Sequence, residues 1–229
     1  QYGTTYNVLL LAALESVLGT DFDLRAAPGF LESAAYHLHM TGPTGLFFNY
    51  SDCGVHADVS PATFWFAARQ QRPELLWYQR QALAGYLAAD HNAADQRQRV
   101  FPFLLVWSPP LEAVEPPSAR HWHGDGATPV AVHRSAWTND AVFIGIKGGS
   151  PRTNHAHMDI GSFVIDADGV RWAHDLGAQS YHSLESRGVQ LWNMKQDSQR
   201  WTFFRLNNRA HNTLMTDDAL QRVTGRAPI

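Results

Sequence analysis

The sequence predicts an α+β chain in which a helical part precedes an antiparallel β part, and three observations carry that prediction. Apolar residues recur at helical spacing through roughly the first hundred positions. The stretch PFLLVWSPPLEAVEPPSARHWHGDGATP then turns to proline, glycine and histidine, and the spacing is lost. Beyond it come short runs rich in Val, Ile, Phe and Trp, with period-2 alternation. Segregated helices and strands argue for a helical domain joined to a β-sandwich rather than an alternating α/β sheet. The boundary falls in the proline-rich stretch, so residues 1–115 are the expected helical part and 116–229 the expected strand part.

The helices are justified in order. Thr4 or Thr5 can cap a helix from Tyr6 to Leu18 that Gly19 stops; it is apolar nearly all round, so it is expected to be buried. A second helix begins at Pro28 and runs through FLESAAYHLHM to Gly42, with His37 and His39 on its flank. A third starts with Ser60 as N-cap and Pro61 at the first helical position, where a missing N–H costs nothing. PELLWYQRQALAGYLAA gives a fourth. Between the second and third, GPTGLFFNYSDCG is too aromatic for plain linker and is expected to be an ordered loop over a helix end.

The strands are expected in VAVHRSAW, AVFIGIKGG, GSFVIDADGVRWAHDLG, RWTFFRLNN and NTLMTDD. Asp168-Gly169 gives the strongest local signal, because Asp-Gly supplies the positive φ of a two-residue type I′ hairpin turn. Opposed residues then sum to 337, so Ile165 should face Trp172, Phe163 His174, and Ser162 Asp175. Successive side chains alternate faces, which separates Asp175 from His174 and leaves His174 as a strand residue.

Composition narrows the function classes. The chain has 229 residues, is 45% hydrophobic and 17% charged, and carries a net charge of −3, so no global attraction to nucleic acid or an anionic membrane is expected. A single cysteine, Cys53, excludes an intrachain disulfide and a cysteine-rich metal site. No run reaches the roughly 18 apolar residues that a membrane span needs, so a soluble protein is expected. The missing initiator Met and the strand-like ending QRVTGRAPI suggest an excerpt of a longer protein.

The segment SPRTNHAHMDIGSF is the densest in potential chemistry. A bend at Gly161 can bring His157 to Asp175 at the mouth of the hairpin, and His211 begins a later strand. Two imidazoles and a carboxylate suit a tetrahedral Zn²⁺ with one position left over. His155, two residues from His157 on an extended segment, would share its side and could face a substrate. His121 and His123 have the same spacing but sit in the expected linker, where solvation or packing is the plainer reading. Asp159 could act as base for zinc hydrolysis, yet a turn cap is the plainer reading there too. Arg69, Arg72, Arg80, Arg97 and Arg99 read as solvated helix faces.

Together HRSAW, IGIKGGSPRTNHAHMDIGSFVIDADGVRWAHDLG, QRWTFFRLNNRAHNTL and the upstream YGTTYNVLLLAALESVLGT resemble the heparinase II/III-like polysaccharide lyases, a group that includes oligoalginate lyases. The likeness is densest from Arg134 to Leu214. It implies the C-terminal part of an (α/α) toroid followed by the start of an antiparallel β-sandwich. It also implies a mainly structural Zn²⁺ on His157, Asp175 and His211, a catalytic histidine at His155, and a catalytic tyrosine at Tyr6 or, as second choice, Tyr2. Arg134 and Tyr181 are further substrate-binding candidates.

The implied reaction is β-elimination at a uronic acid. A base removes the proton beside the carboxylate, the enolate is stabilised, and an acid protonates the leaving glycosidic oxygen. A tyrosine beside a positive group can serve as base, acid or both. The expected partner is an anionic poly- or oligosaccharide, unsulfated uronates being favoured by the acidic balance, with homodimer formation left open and a periplasmic or secreted location implied. The toroid helix that would grip the substrate carboxylate lies upstream of Gln1 in this resemblance, so the isolated chain is expected to have little activity. The alternative is a carbohydrate-binding or scaffolding module that keeps the zinc and does no chemistry.

Overall fold

The computed structural model describes residues 2–89, 99–112 and 114–229. They form two compact units, one of residues 1–39 with 57–118 and one of residues 40–56 with 119–229. The segment 40–56, which sequence patterning groups with the helices, therefore packs with the strands.

The first unit contains α1 (Tyr2–Leu18), most of α2 (Ala34–Met40), α3 (Pro61–Gln70), α4 (Trp77–Ala88) and α5 (Phe103–Trp107). Ser60 precedes α3 with extended backbone angles and Pro61 opens it, as the sequence predicts, but the Ser60 side chain makes no capping hydrogen bond. The centre of this unit is α3, not α1: every residue from Pro61 to Ala67 is buried, and Phe30 packs against Trp65 and Phe66. In α1 only a stripe through Thr5, Val8 and Leu11 is buried, whereas Leu10, Val17 and Leu18 are exposed. An apolar sequence all round does not bury a helix that meets a neighbour along one face. The second helix is also shorter than expected, turns occupying residues 28–33. Glu15 of α1 accepts from Arg25 and Arg69, Arg72 pairs with Glu74 at 2.8 Å, and Arg80 lies over Trp77. Arg99 is exposed, and Arg97 lies outside the described residues.

The second unit is built on an antiparallel sheet in simple meander order: β1 (His121–Gly124), β2 (Val130–Arg134), β3 (Phe143–Lys147), β4 (Phe163–Ala167) and β5 (Val170–Ala173). His121–Gly124 is thus a strand and not linker. The β4–β5 hairpin turns at Asp168 (φ 52°) and Gly169 (φ 74°), the positive pair that a type I′ turn requires. Asp166 opposes Arg171 in the predicted register, but a bulge between Ile165 and Asp166 makes Ile165 face Ala173 instead of Trp172. The expected strands in RWTFFRLNN and NTLMTDD are absent among the described residues. The chain there makes short 3-10 turns, Gln199–Thr202, Phe204–Leu206 and Asn208–Ala210, two of them capped by Ser198 and Asn207 side chains.

One face of the sheet is sealed by residues 40–56, so that segment covers strands rather than a helix end. Val132, Phe143, Val164 and Phe48 are fully buried, each worth roughly 1.5–3 kcal/mol of apolar burial. Gly145 lets Phe48 approach: a Cβ there would meet the Phe48 ring at 2.7 Å. Charged residues on this face are spent on the covering segment. Arg171 bonds Asp166 and donates to the Phe47 and Leu46 carbonyls, Thr44 donates to Asp166, and Arg134 donates to the Thr41 carbonyl. Lys147 pairs with Asp159, whose other oxygen accepts from the Ser51 N–H and hydroxyl. These bonds fix Ser51, and with it the neighbouring Asp52.

Candidate functional site

The loop between β3 and β4 is not extended, as the sequence reading has it, but a series of turns. His155 sits at φ 63°, in the left-handed region that side chains with a Cβ rarely adopt. The turn sends the two histidines to different environments: His155 is 54% exposed and His157 is fully buried. Between them the Ala156 carbonyl accepts from Arg200 at 2.8 Å, and Met158 N–H donates to the Leu206 carbonyl at 3.1 Å. Arg200 is itself buried against Trp201, so the loop is held from beneath by a cation inside the core.

Asp175, just past β5, is buried, and His174 is exposed, in line with the alternation argument although the bulge alters the strand register. Asp175 accepts from Ser162 Oγ at 3.1 Å, Gly177 N–H at 2.8 Å and His211 Nδ1 at 2.8 Å. His211 reaches it from the end of the Asn208–Ala210 turn, with Asn212 donating to the Phe163 carbonyl. The His157 and His211 rings stand 5.3 Å apart. His157, Asp175 and His211, drawn from three stretches, therefore belong to one buried cluster.

The sequence reading has no role for Asp52, which comes from the covering segment. Its Oδ1 lies 2.9 Å from His157 Nε2 and its Oδ2 lies 2.8 Å from His155 Nδ1. Tyr181, at the start of the short helix α6 (Tyr181–Glu185), donates its hydroxyl to the same Oδ2 and lies 2.9 Å from His155 Nδ1. Trp192 meets both the His155 and Tyr181 rings edge to face, is 47% exposed, and donates its indole N–H to Glu185. No sequence spacing links Asp52 to His155, 103 positions away; only the aromatic, Gly-rich character of its loop hints at order.

The electrostatics favour ionised carboxylates. Burial works to raise the Asp52 carboxyl, but hydrogen bonds and charge from His157, a bond from His155 and the charge of Arg200 outweigh it and hold it below its usual range. Asp175 follows the same balance: burial raises it, and His211, Gly177 and Ser162 bring it down further.

Other candidates lie elsewhere. Arg134 is 3% exposed, with its guanidinium 3.8 Å over the Trp137 ring and bonded to Thr41, so its contacts are those of a core residue tying β2 to the covering segment. Asp159 is fully buried, with its oxygens taken up by Lys147 and Ser51, and does not face the cluster's exposed side. Tyr6 is 42% exposed on α1 in the first unit, and Tyr2 begins that helix, its side chain lying outside what is described. His121 and His123 lie on β1, where the His121 and His133 Nδ1 atoms approach to 2.8 Å across the strands.

For a divalent metal the donors are of the right kind: two imidazoles and a carboxylate, with His157 Nδ1 and His211 Nε2 both buried and without a hydrogen-bond partner among the described residues. As they stand, no three His, Cys, Asp or Glu side chains among the described residues are spaced to share one ion. Each imidazole is instead drawn to a carboxylate, so binding would require these side chains to shift.

No helix among the described residues is long and apolar enough to cross a membrane. No curated protein matches the chain. The family model described as heparinase II/III-like, C-terminal, matches residues 130–227, a span that holds β2 to β5, His155, His157, Asp175, Tyr181 and His211 and leaves out Asp52 and the first unit. Over that span, which is less than half of the chain, the sequence is similar to the C-terminal region of heparinase II/III-like proteins.

Proposed function

We propose that this chain is part of a polysaccharide lyase that cleaves a uronate-containing anionic glycan by β-elimination. The observation that carries the reading is His155: an exposed imidazole on a strained backbone, engaged through Nδ1 by a carboxylate and a phenol, with Nε2 outside those contacts. In the reaction a base takes the C5 proton, the C4–O bond breaks as the C4=C5 double bond forms, and the departing alkoxide receives a proton. His155 Nε2 is suited to the first transfer. Tyr181, bonded to Asp52, orients it, and Tyr6 from the expected toroid is the candidate for the second transfer. Trp192 offers an exposed aromatic edge to a sugar ring beside His155.

The expected zinc would be held by His157 through its buried Nδ1, with Asp175 and His211. Once bound it would tie three loops together as a structural ion. Because a polymeric anionic substrate does not cross membranes unaided, the enzyme is expected to work in a periplasm or outside the cell.

Ultraviolet absorbance of unsaturated uronate ends tests the reading, with alginate and unsulfated glycosaminoglycan as substrates for the protein that contains this chain. His155→Ala should lower the rate about 10²- to 10⁴-fold. Saturated product ends would turn the assignment to a hydrolase. Glycan binding without turnover would favour the non-catalytic carbohydrate-binding module, to which the exposed Trp192 also lends support.

A further inference from the structure

Among the described residues Asp52 alone hydrogen-bonds both histidines of the HAH segment, and its two oxygens divide them. Oδ1 meets His157 Nε2 at 2.9 Å and Oδ2 meets His155 Nδ1 at 2.8 Å, with the Tyr181 hydroxyl also on Oδ2. An ionised carboxylate only accepts hydrogen bonds. Each facing ring nitrogen must therefore carry a hydrogen, and in a neutral imidazole the other nitrogen must then bear the lone pair.

We propose that Asp52 is a positioning residue that fixes two histidine tautomers at once, Nδ1–H on His155 and Nε2–H on His157. The first leaves Nε2 of the exposed ring free to accept a proton. The second leaves Nδ1 of the buried ring, which has no hydrogen-bond partner among the described residues, free to ligate a cation. A carboxylate behind a ligating histidine is the arrangement by which proteins orient the ring and raise its basicity. Here one carboxylate performs that service for a metal ligand and a base together, so the two functions share a single point of failure.

Asp52 can do this because hydrogen bonds hold the backbone on both sides of it. Ser51 donates through N–H (2.8 Å) and Oγ (3.0 Å) to Asp159, which is fully buried against Lys147, and Cys53 N–H closes a turn on the Tyr50 carbonyl at 3.1 Å. On the other side Asn49 donates to the Asp175 carbonyl at 3.1 Å, linking the same segment to the His211 pair.

The roles of the freed nitrogens rest on the lyase reading, but the tautomers do not, and the test separates them. The chain with ¹⁵N-labelled histidine, metal-free at pH 8, is examined by long-range ¹H–¹⁵N correlation, with His155→Gln and His157→Gln used for assignment. Expected are Nδ1–H on His155 and Nε2–H on His157. In Asp52→Ala the His155 signal should move to the Nε2–H form that imidazoles favour in water, and Zn²⁺ affinity should fall about 10- to 100-fold.

Nε2–H on His155 in the unsubstituted chain overturns the proposal, as does an unchanged His155 signal in a folded Asp52→Ala. Should that variant not fold, the unsubstituted spectrum decides alone. Expected tautomers in a protein that forms no unsaturated product would retain this inference and remove the lyase reading.

Discussion

Lys147 on β3 and Asp159 in the following loop form an ion pair sealed from water, their side chains 1% and 0% exposed. The carboxylate also receives both hydrogen bonds of Ser51, so the pair joins the sheet to the segment that carries Asp52. Removing one partner leaves the other charge buried without compensation. Asp159→Ala is therefore expected to cost about 3–5 kcal/mol in urea unfolding. Replacing both partners by apolar residues of similar volume should restore much of that loss while leaving Asp52 poorly anchored.

Zinc, if it binds where proposed, links loops that reach the cluster from residues 157, 175 and 211. His211 already bonds Asp175, so the ion would replace that bond while the Asp52–His157 bond through Nε2 stays, and its stabilisation would be less than in a domain with no other core. Metal analysis of the purified chain should give about one zinc, with four-coordinate N/O ligation, and His157→Ala should lose it. A chelator should lower Tm in the parent and leave it unchanged in His157→Ala. Equal shifts in both proteins would place any bound metal elsewhere.

Local chemistry was legible in the sequence wherever a few adjacent residues decide a conformation. Ser60-Pro61 starts α3, and Asp168-Gly169 turns the hairpin. The bulge beside Ile165 was not legible, because the turn sets the register only as far as the next irregularity. RWTFFRLNN has strand-like composition, yet residues 199–210 satisfy their backbone through local turns and the Ser198 and Asn207 side chains, an alternative to ladder pairing that propensity does not weigh. His155, His157, Asp175 and His211 could be named from their types and from resemblance. Asp52 could not, because its role follows only from how residues 40–56 lie on the sheet.

His37 in α2 should make stability depend on pH. Loss of hydration pushes its pKa down from 6.5 to about 4, Asp58 working in the opposite direction without prevailing. Between those values the unfolded chain binds a proton that the folded chain refuses. Stability is therefore fully present above the unfolded value and falls as pH drops from 6.5 toward 4. The limit is about 3 kcal/mol, and the half-buried ring should give less. Urea midpoints of the parent and His37→Gln should converge as the pH is lowered through that window, and parallel curves would show that folding does not change the ring's affinity for a proton.

Cys53 adjoins Asp52 in the covering segment, and burial pushes its thiol up to about 11, with the Asp52 charge adding to the rise. The thiolate is the reactive form, so at pH 8 only about one molecule in a thousand is competent, some 200-fold fewer than for a thiol of ordinary pKa. Alkylation by iodoacetamide should accordingly be slow at pH 8 and rise about tenfold per pH unit up to the thiol's own value while the fold persists. In Asp52→Asn, with the neighbouring charge removed, the profile should move to lower pH. A Cys53 that reacts as fast as free cysteine at pH 8 would mean that residues 40–56 leave the sheet readily, and the hold of Asp52 on His155 and His157 would be correspondingly brief.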